Sequence, residues 1–338
     1  MKHGLDDQGR FRSRGLIVSL LVYAVLGCLL IGVGKWLDLI DQNDPEEQYG
    51  DLSQRFVPTV MMELAGEERA YYHNYHSNVL IIGVDRESFA ASTSMRSGGQ
   101  ADFLMLLSIA RDTRSITPIH IDRDTVTDVQ VYGAFGNPAG VVPMQVCLSH
   151  AFGRDEASNS ENTVLAVSNL LAGIPIDHYI AMDMSGIAAL NDALGGVTVT
   201  LEEDFSMLDP AMTKGATVTL QGKQAEYYVR GRYGVGDYTN RQRMVHQRQF
   251  VTQAAELITE KLRKEPEFLI QLFDDLDPHL ATTVDDEWLL SQSYAMQHYQ
   301  INEIHTLQGE HRVGGSGFME FHPEQKAMEE MLLDVFFE

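Results

Sequence analysis

Three short apolar runs with charged ends constrain the fold of this 338-residue chain more than any other feature. Residues 78–84 (NVLIIGV) form a continuous apolar run rich in β-branched side chains, the pattern of a buried strand. Residues 102–110 (DFLMLLSIA) follow after a loop-like stretch at 94–100 (SMRSGGQ), and 115–121 (SITPIHI) alternates weakly. The first run stops at Asp85-Arg86-Glu87, the second opens on Asp102, and the third ends in Asp122-Arg123-Asp124-Thr125. If the second strand runs antiparallel to the other two, all three charged ends meet on one edge and gather Asp85, Asp102 and Arg123. Carboxylates so grouped share a divalent cation or raise one another's pKa. Asp is also an ordinary turn residue where strands end, and spacing alone leaves both readings open.

Downstream, strands alternate with helices. Residues 161–172 have helical apolar spacing and stop before Gly173 and Pro175, 176–183 reads as a strand, and 185–194 as a helix begun by Ser185. Gly195-Gly196 ends that helix and a strand follows at 197–201. Residues 217–232 read as a strand, a turn at Gly222 and a short helix or strand. Helical spacing returns at 267–276, 286–297 and 323–337, with a strand and loop between the last two. This order predicts an α/β layered domain. A hydrophobic content of 44% is ample for a sizeable core.

Residues 224–250 (QAEYYVRGRYGVGDYTNRQRMVHQRQF) hold five arginines in a chain whose formal net charge is -23. That contrast asks for an anion of fixed geometry, because arginine offers a planar fork that grips phosphate oxygens bidentately. Arg230 and Arg232 share a face if their segment is extended. Beyond the glycines, Asn240 is placed to cap a long helix running to about Leu262. On it Arg243 and Gln247 share one face, and Arg241 and Arg248 share another, which reads as solvated. GRYGVG lacks the spacing of a dinucleotide fingerprint, and the chain has no Walker A loop, HExxH or GxSxG. A sequence pI near 4.8 argues against nucleic acid as a partner.

Ahead of these segments, residues 1–14 are polar and basic, and 15–34 carry no charge for 20 residues, enough to span a hydrocarbon core. The flanking charge predicts a cytoplasmic N-terminus (1–14), a single transmembrane anchor (15–36) and an extracellular remainder. A cleaved signal peptide and a lipoprotein using Leu26-Gly27-Cys28 are the rivals; the apolar run past Cys28 favours the anchor. Residues 37–77 read as an extracytoplasmic linker, with a short amphipathic helix within 57–72. His73 and His76 read as polar surface rather than metal ligands.

The order of motifs resembles the LytR–CpsA–Psr proteins: an N-terminal anchor, NVLIIGVDRE, DFLMLLSIA, an RDT turn, LLAGIPIDHYIAMD, LNDALGGVTVTL, QAEYYVRGR and a final R-x-x-x-Q helix. The resemblance is collinear over 78–338. It implies a three-layer α/β/α domain with a mixed central sheet, preceded by one transmembrane helix. It implies a membrane-anchored extracytoplasmic phosphotransferase of Gram-positive bacteria, moving a glycopolymer from an undecaprenyl-pyrophosphate carrier to peptidoglycan. Weaker alternatives are a polyprenyl-phosphate binding module and a regulator of cell-envelope genes. The matching positions are Asp85 and Asp102 for a magnesium or manganese ion, with Arg86, Arg123, Arg230, Arg232, Arg243 and Gln247 on the pyrophosphate. Asp85, Asp102, Arg123, Arg230 and Arg232 are implied to be catalytic; which aspartate holds metal and which assists the acceptor stays open. Two positions depart from the family pattern: Gln100 and His246 stand where arginines are usual.

Overall fold

The structure, a computed structural model, describes residues 60–71, 75–89, 98–133 and 137–337. The expected tail, the anchor and residues 37–59 of the expected linker lie outside the described residues, as do His73 and residues 94–97 of the loop at 94–100. Among the described residues no helix is long and apolar enough to cross a membrane.

The first element corrects the sequence reading of the linker. Residues expected as an amphipathic helix form an antiparallel hairpin, β1 (Val60–Leu64) and β2 (Glu67–Tyr71). Its two-residue turn, Ala65-Gly66, takes φ of 54° and 76°, the paired positive values of a type I′ hairpin turn. Helix-favouring Glu67, Glu68 and Ala70 lose to tertiary packing: Leu64 and Tyr71 are buried in the main core. Tyr71 stacks against His76 and meets Phe336 and Phe337 edge-on at 6.2 and 6.1 Å, and its hydroxyl accepts from Asn78 Nδ2 at 2.8 Å. Residues 60–71 and 75–77 therefore belong to the folded unit, and His76 packs against Phe336 rather than lying on polar surface.

The central sheet is mixed. β3 (His76–Val84), β4 (Ala101–Ala110) and β5 (Ser115–Ile121) follow in antiparallel succession, with Leu80 opposite Leu106 and Leu106 opposite Ile119. A second hairpin, β6 (Val126–Tyr132) and β7 (Pro138–Gln145), leads through a 3-10 turn (Val146–Ala151) to α1 (Glu156–Leu170). Asp155 and Ser158 form a reciprocal capping box at its start. β8 (His178–Met182) then joins β3 in parallel. α2 (Met184–Leu194) begins at the Asp183 cap, not at Ser185, and ends at Gly195 in the left-handed region, φ 88°.

β9 (Thr198–Thr200) and β10 (Thr217–Thr219) pair outside the central sheet and lead into α3 (Lys223–Arg230) and α4 (Asn240–Lys264). The rest is α5 (Phe268–Leu276), β11 (Leu280–Thr282), α6 (Asp286–Met296), short β12 (Gln300–Ile301) and β13 (His305–Thr306), a hairpin of β14 (Gly309–Val313) and β15 (Met319–Pro323), and α7 (Gln325–Phe336). The sheet order is β11-β8-β3-β4-β5-β12, with β13 also on β5.

Strand alternation sends apolar side chains to both faces. Leu80, Ile82, Leu104, Leu106, Ile119 and Ile121 pack with Val167, Leu170 and Phe336, so α1 and α7 cover that face. Val79, Ile109 and Ile116 face the other way, against Trp288 and Met296 of α6. A further core joins α2 to α6 around Phe205, Tyr228 and Leu269.

Candidate functional site

Because β4 runs antiparallel to β3 and β5, the end of β3, the start of β4 and the end of β5 fall together, as the charged-edge reading anticipated. Asp85 follows the last residue of β3, and its backbone N–H donates to Gln100 O at 2.8 Å. Gly99 makes this approach feasible. Its φ is +75°, and a Cβ there would lie 2.9 Å from Val84 and 3.1 Å from the Asp85 carbonyl.

Asp102 is held between two arginines from distant parts of the chain. Its Oδ1 accepts from Arg123 Nη1, and its Oδ2 accepts from Arg243 Nη1 at 2.8 Å. Arg123 also donates to Gln100 Oε1 and, at 3.3 Å, to the buried Cys147 Sγ. Gln100 therefore supplies an acceptor where the resemblance implied a cation.

The two halves of the Arg-rich stretch come to this edge differently. Arg230 ends α3, is 40% exposed at its side chain, and donates to Asp85 Oδ1 at 3.0 Å and to Glu226 at 2.6 Å. Arg232 is half-buried, and its guanidinium has no carboxylate partner among the described residues. Its charge acts on Arg243 and Asp124. Thr239, not Asn240, caps α4; Asn240 instead donates to Asp122 and accepts from Arg243.

Arg243 and Gln247 are 3% and 6% exposed, and Arg243 Nε and Gln247 Oε1 have no hydrogen-bond partner among the described residues. Burial, then the charges of Arg123 and Arg232, pull the Arg243 pKa down to about 10. Burial, then Asp122, push the Asp124 carboxyl up, with Arg123, Arg243 and Arg232 opposing. Arginines crowded closely enough to repel one another, with a buried polar atom left unpartnered, form a site suited to a polyanion.

Other expected members lie elsewhere. Arg86 donates to Glu156 at the start of α1 at 2.6 Å and lies over the Phe89 ring, so its guanidinium is committed there. Arg241 is exposed as expected, but Arg248 is half-buried, and burial lowers its pKa; the fully solvated reading of its face is corrected. His246 is fully buried between Phe205 and Tyr228, at 5.1 and 5.2 Å. Burial lowers its pKa, which favours the neutral ring.

Asp122, Asp124 and Asn240 were not marked as site residues by sequence, although the acid–arginine–acid end of β5 was visible. Among the described residues no three His, Cys, Asp or Glu side chains group as metal ligands. Magnesium commonly takes only one or two carboxylates, completing its shell with phosphate oxygens and water. Asp85, 43% exposed with an arginine on one oxygen, suits that role; Asp102 would have to share oxygens already accepting from arginines.

The geometry can be set beside known proteins. The polyisoprenyl-teichoic acid–peptidoglycan teichoic acid transferase TagU of Halalkalibacterium halodurans is 29% identical over 225 residues, 65% of this chain and 64% of that protein. TagU of Bacillus subtilis is 31% identical over 157 residues, 46% of this chain and 44% of that protein. The chain thus spans between about two fifths and just under two thirds of the length of such relatives. Among solved structures, TagT bound to LI-WTA superposes with TM-score 0.59 at 17% identity, covering 78% of this chain and 91% of the other, a likeness of fold. Residues 48–334, which include every site residue described above, match the LytR_cpsA_psr family, and the chain belongs to that family.

Proposed function

We propose that this chain is a membrane-anchored, extracellular phosphotransferase that moves a glycopolymer from an undecaprenyl-pyrophosphate carrier to peptidoglycan. The observation that carries the reading is the buried Arg243, paired with Asp102 beside Arg123 and retaining, among the described residues, an unpartnered Nε on the helix face it shares with Gln247. The transferase names of the relatives and the family membership support it.

In this reading Arg123, Arg232, Arg243 and Gln247 grip the pyrophosphate, and Arg230 approaches from the rim beside Asp85. An acceptor sugar hydroxyl attacks the sugar-side phosphorus. The bond from that phosphorus to the bridging oxygen breaks, leaving polyprenyl phosphate, and the hydroxyl proton passes to a carboxylate. Asp85, the more exposed aspartate, is the better placed to receive it. The negative charge moving onto the leaving phosphate meets arginines already oriented by Asp102, so little reorganisation is needed. Asp85, with Asp102 only where it shares an oxygen with its arginines, would hold a magnesium or manganese ion, which when bound supplies further neutralisation of phosphate charge.

The binding-module reading keeps one specific observation in its favour: both oxygens of Asp102 already accept from arginines. Transfer of labelled lipid-linked polymer to peptidoglycan oligomers in Mg²⁺ separates the two. Product is expected; saturable binding without product would establish the module instead. Protease treatment of intact cells tests the topology, and protection of residues 58–338 from outside would overturn the extracellular placement.

A further inference from the structure

The C-terminal hairpin contributes to the arginine cluster through a residue that the sequence pattern did not mark. β15 is pinned against the turn after β5: Phe321 N donates to Asp124 O at 2.8 Å, and Gln145 Nε2 donates to Met319 O at 2.7 Å. This places His311, on the neighbouring strand β14, with Nε2 2.9 Å from Asp122 Oδ2 and its ring 4.7 Å from that of Phe321. Asp122 is 5% exposed, and its other oxygen accepts from Asn240 Nδ2 at 2.7 Å and Asp124 N at 2.9 Å. Asn240 Oδ1 in turn accepts from Arg243 Nη2, whose partner nitrogen Nη1 reaches Asp102.

The polarity of this chain of bonds is fixed. Asn240 cannot flip, because its oxygen would then face the Asp122 carboxylate and its NH₂ would face a guanidinium. Asp124 N–H fixes one edge of the Asp122 carboxylate on the oxygen that holds Asn240, and among the described residues His311 is the side chain on its second oxygen, so His311 sets the rotation of the carboxylate about that fixed edge. We propose that His311 is a positioning residue: through Asp122 and Asn240 it sets the direction of the Arg243 fork, and so how Arg243 presents its free Nε to a pyrophosphate. The inference rests on the anion-binding reading for its purpose, but not for its geometry.

A plain clamp holding the hairpin shut is the competing role, and two substitutions separate them. His311→Phe keeps a ring against Phe321 and removes the donor; His311→Gln keeps a donor at similar reach. The first readout is the Arg243 Nε–H resonance in nitrogen-15 spectra of the free protein, assigned by its loss in Arg243→Lys. One sharp signal is expected in the wild type and His311→Gln, and a broadened signal with at least about tenfold faster exchange in His311→Phe. The second readout is affinity for inorganic pyrophosphate. His311→Phe should bind about tenfold more weakly and His311→Gln within about twofold, and adding Asn240→Ala to His311→Phe should cost little more.

An unchanged Arg243 signal in a folded His311→Phe overturns the inference, as do losses from His311→Phe and Asn240→Ala that multiply independently. A wild-type protein that binds no pyrophosphate would instead sink the anion-site reading, and the spectra would still decide the positioning role.

Discussion

Arg243 and Asp102, 141 positions apart in sequence, meet at 2.8 Å with the arginine buried and the carboxylate 20% exposed at its side chain. Asp102 is thus a resident counter-ion, holding two guanidiniums in place of a substrate's charge. Removing one partner of a buried pair leaves the other uncompensated and typically costs about 3–5 kcal/mol. Asp102→Ala is therefore expected to lower unfolding free energy by about 3 kcal/mol in urea titrations. The same variant should bind inorganic pyrophosphate more tightly, because the anion no longer competes with a carboxylate, while transfer falls. Weaker binding would mean that Asp102 organises the arginines more than it competes for them.

Arg230, exposed, and Arg232, half-buried, separate binding from stability. Arg230 is 40% exposed, so its pairs with Asp85 and Glu226 add little to folding. Arg230→Ala and Arg232→Ala should each leave the urea midpoint nearly unchanged and weaken binding of a soluble polyprenyl pyrophosphate by about tenfold or more, the scale of one charge-assisted hydrogen bond. Arg241→Ala, on the exposed side of α4, serves as the control and should stay within about twofold. Equal losses at all three would show general electrostatic attraction in place of a built site.

Much of this edge was legible because strand periodicity and charge placement need no long-range information. The runs at 78–84, 102–110 and 115–121 announce strands, and antiparallel succession alone brings Asp102 to Arg123. The shared face of Arg243 and Gln247 was legible from helical spacing. What escaped depends on packing between distant segments. Glu67–Tyr71 has weak strand propensity and pairs only because Leu64 and Tyr71 find the core. Arg248 was read from its helix face and His246 from the family pattern, whereas burial decides the state of the first and Phe205, Tyr228 and burial that of the second. His311 carries no local signal, since its partner Asp122 lies 189 positions away.

Buried neutral histidine gives the folded state a defined pH response. His120 is 1% exposed, with its ring 5.0 Å from that of Phe103. Burial first, then the charges of Arg248 and Arg243, push its pKa down from 6.5 to about 3. The unfolded chain binds a proton near 6.5 and the folded chain does not, so the unfolded state gains protons as pH falls. This contribution is complete above about 6.5 and is lost progressively toward about 3, with a limiting slope of about 1.4 kcal/mol per pH unit for one proton. His120→Gln should flatten the stability curve between pH 7 and pH 5 relative to the parent. His76 and His246, also shifted down by burial, remain in both proteins and cancel in the difference. Parallel curves would show that His120 is not held neutral.

His246→Arg tests whether the arginine that the resemblance implied at this position can simply be installed. The His246 ring is fully buried against Phe205 and Tyr228, and carboxylates are represented there only by the longer-range influence of Glu203, Glu202 and Asp237. A guanidinium placed in that slot loses hydration; cation–π contact with Tyr228 recovers about 2 kcal/mol, less than the several kcal/mol that burying an unpaired charge costs. The substituted protein should unfold at lower urea and bind pyrophosphate no more tightly than the parent. If it binds more tightly with stability intact, the arginine has swung toward Arg243, its neighbour three residues back on α4. That outcome would show that a cation at this position works from outside the aromatic slot.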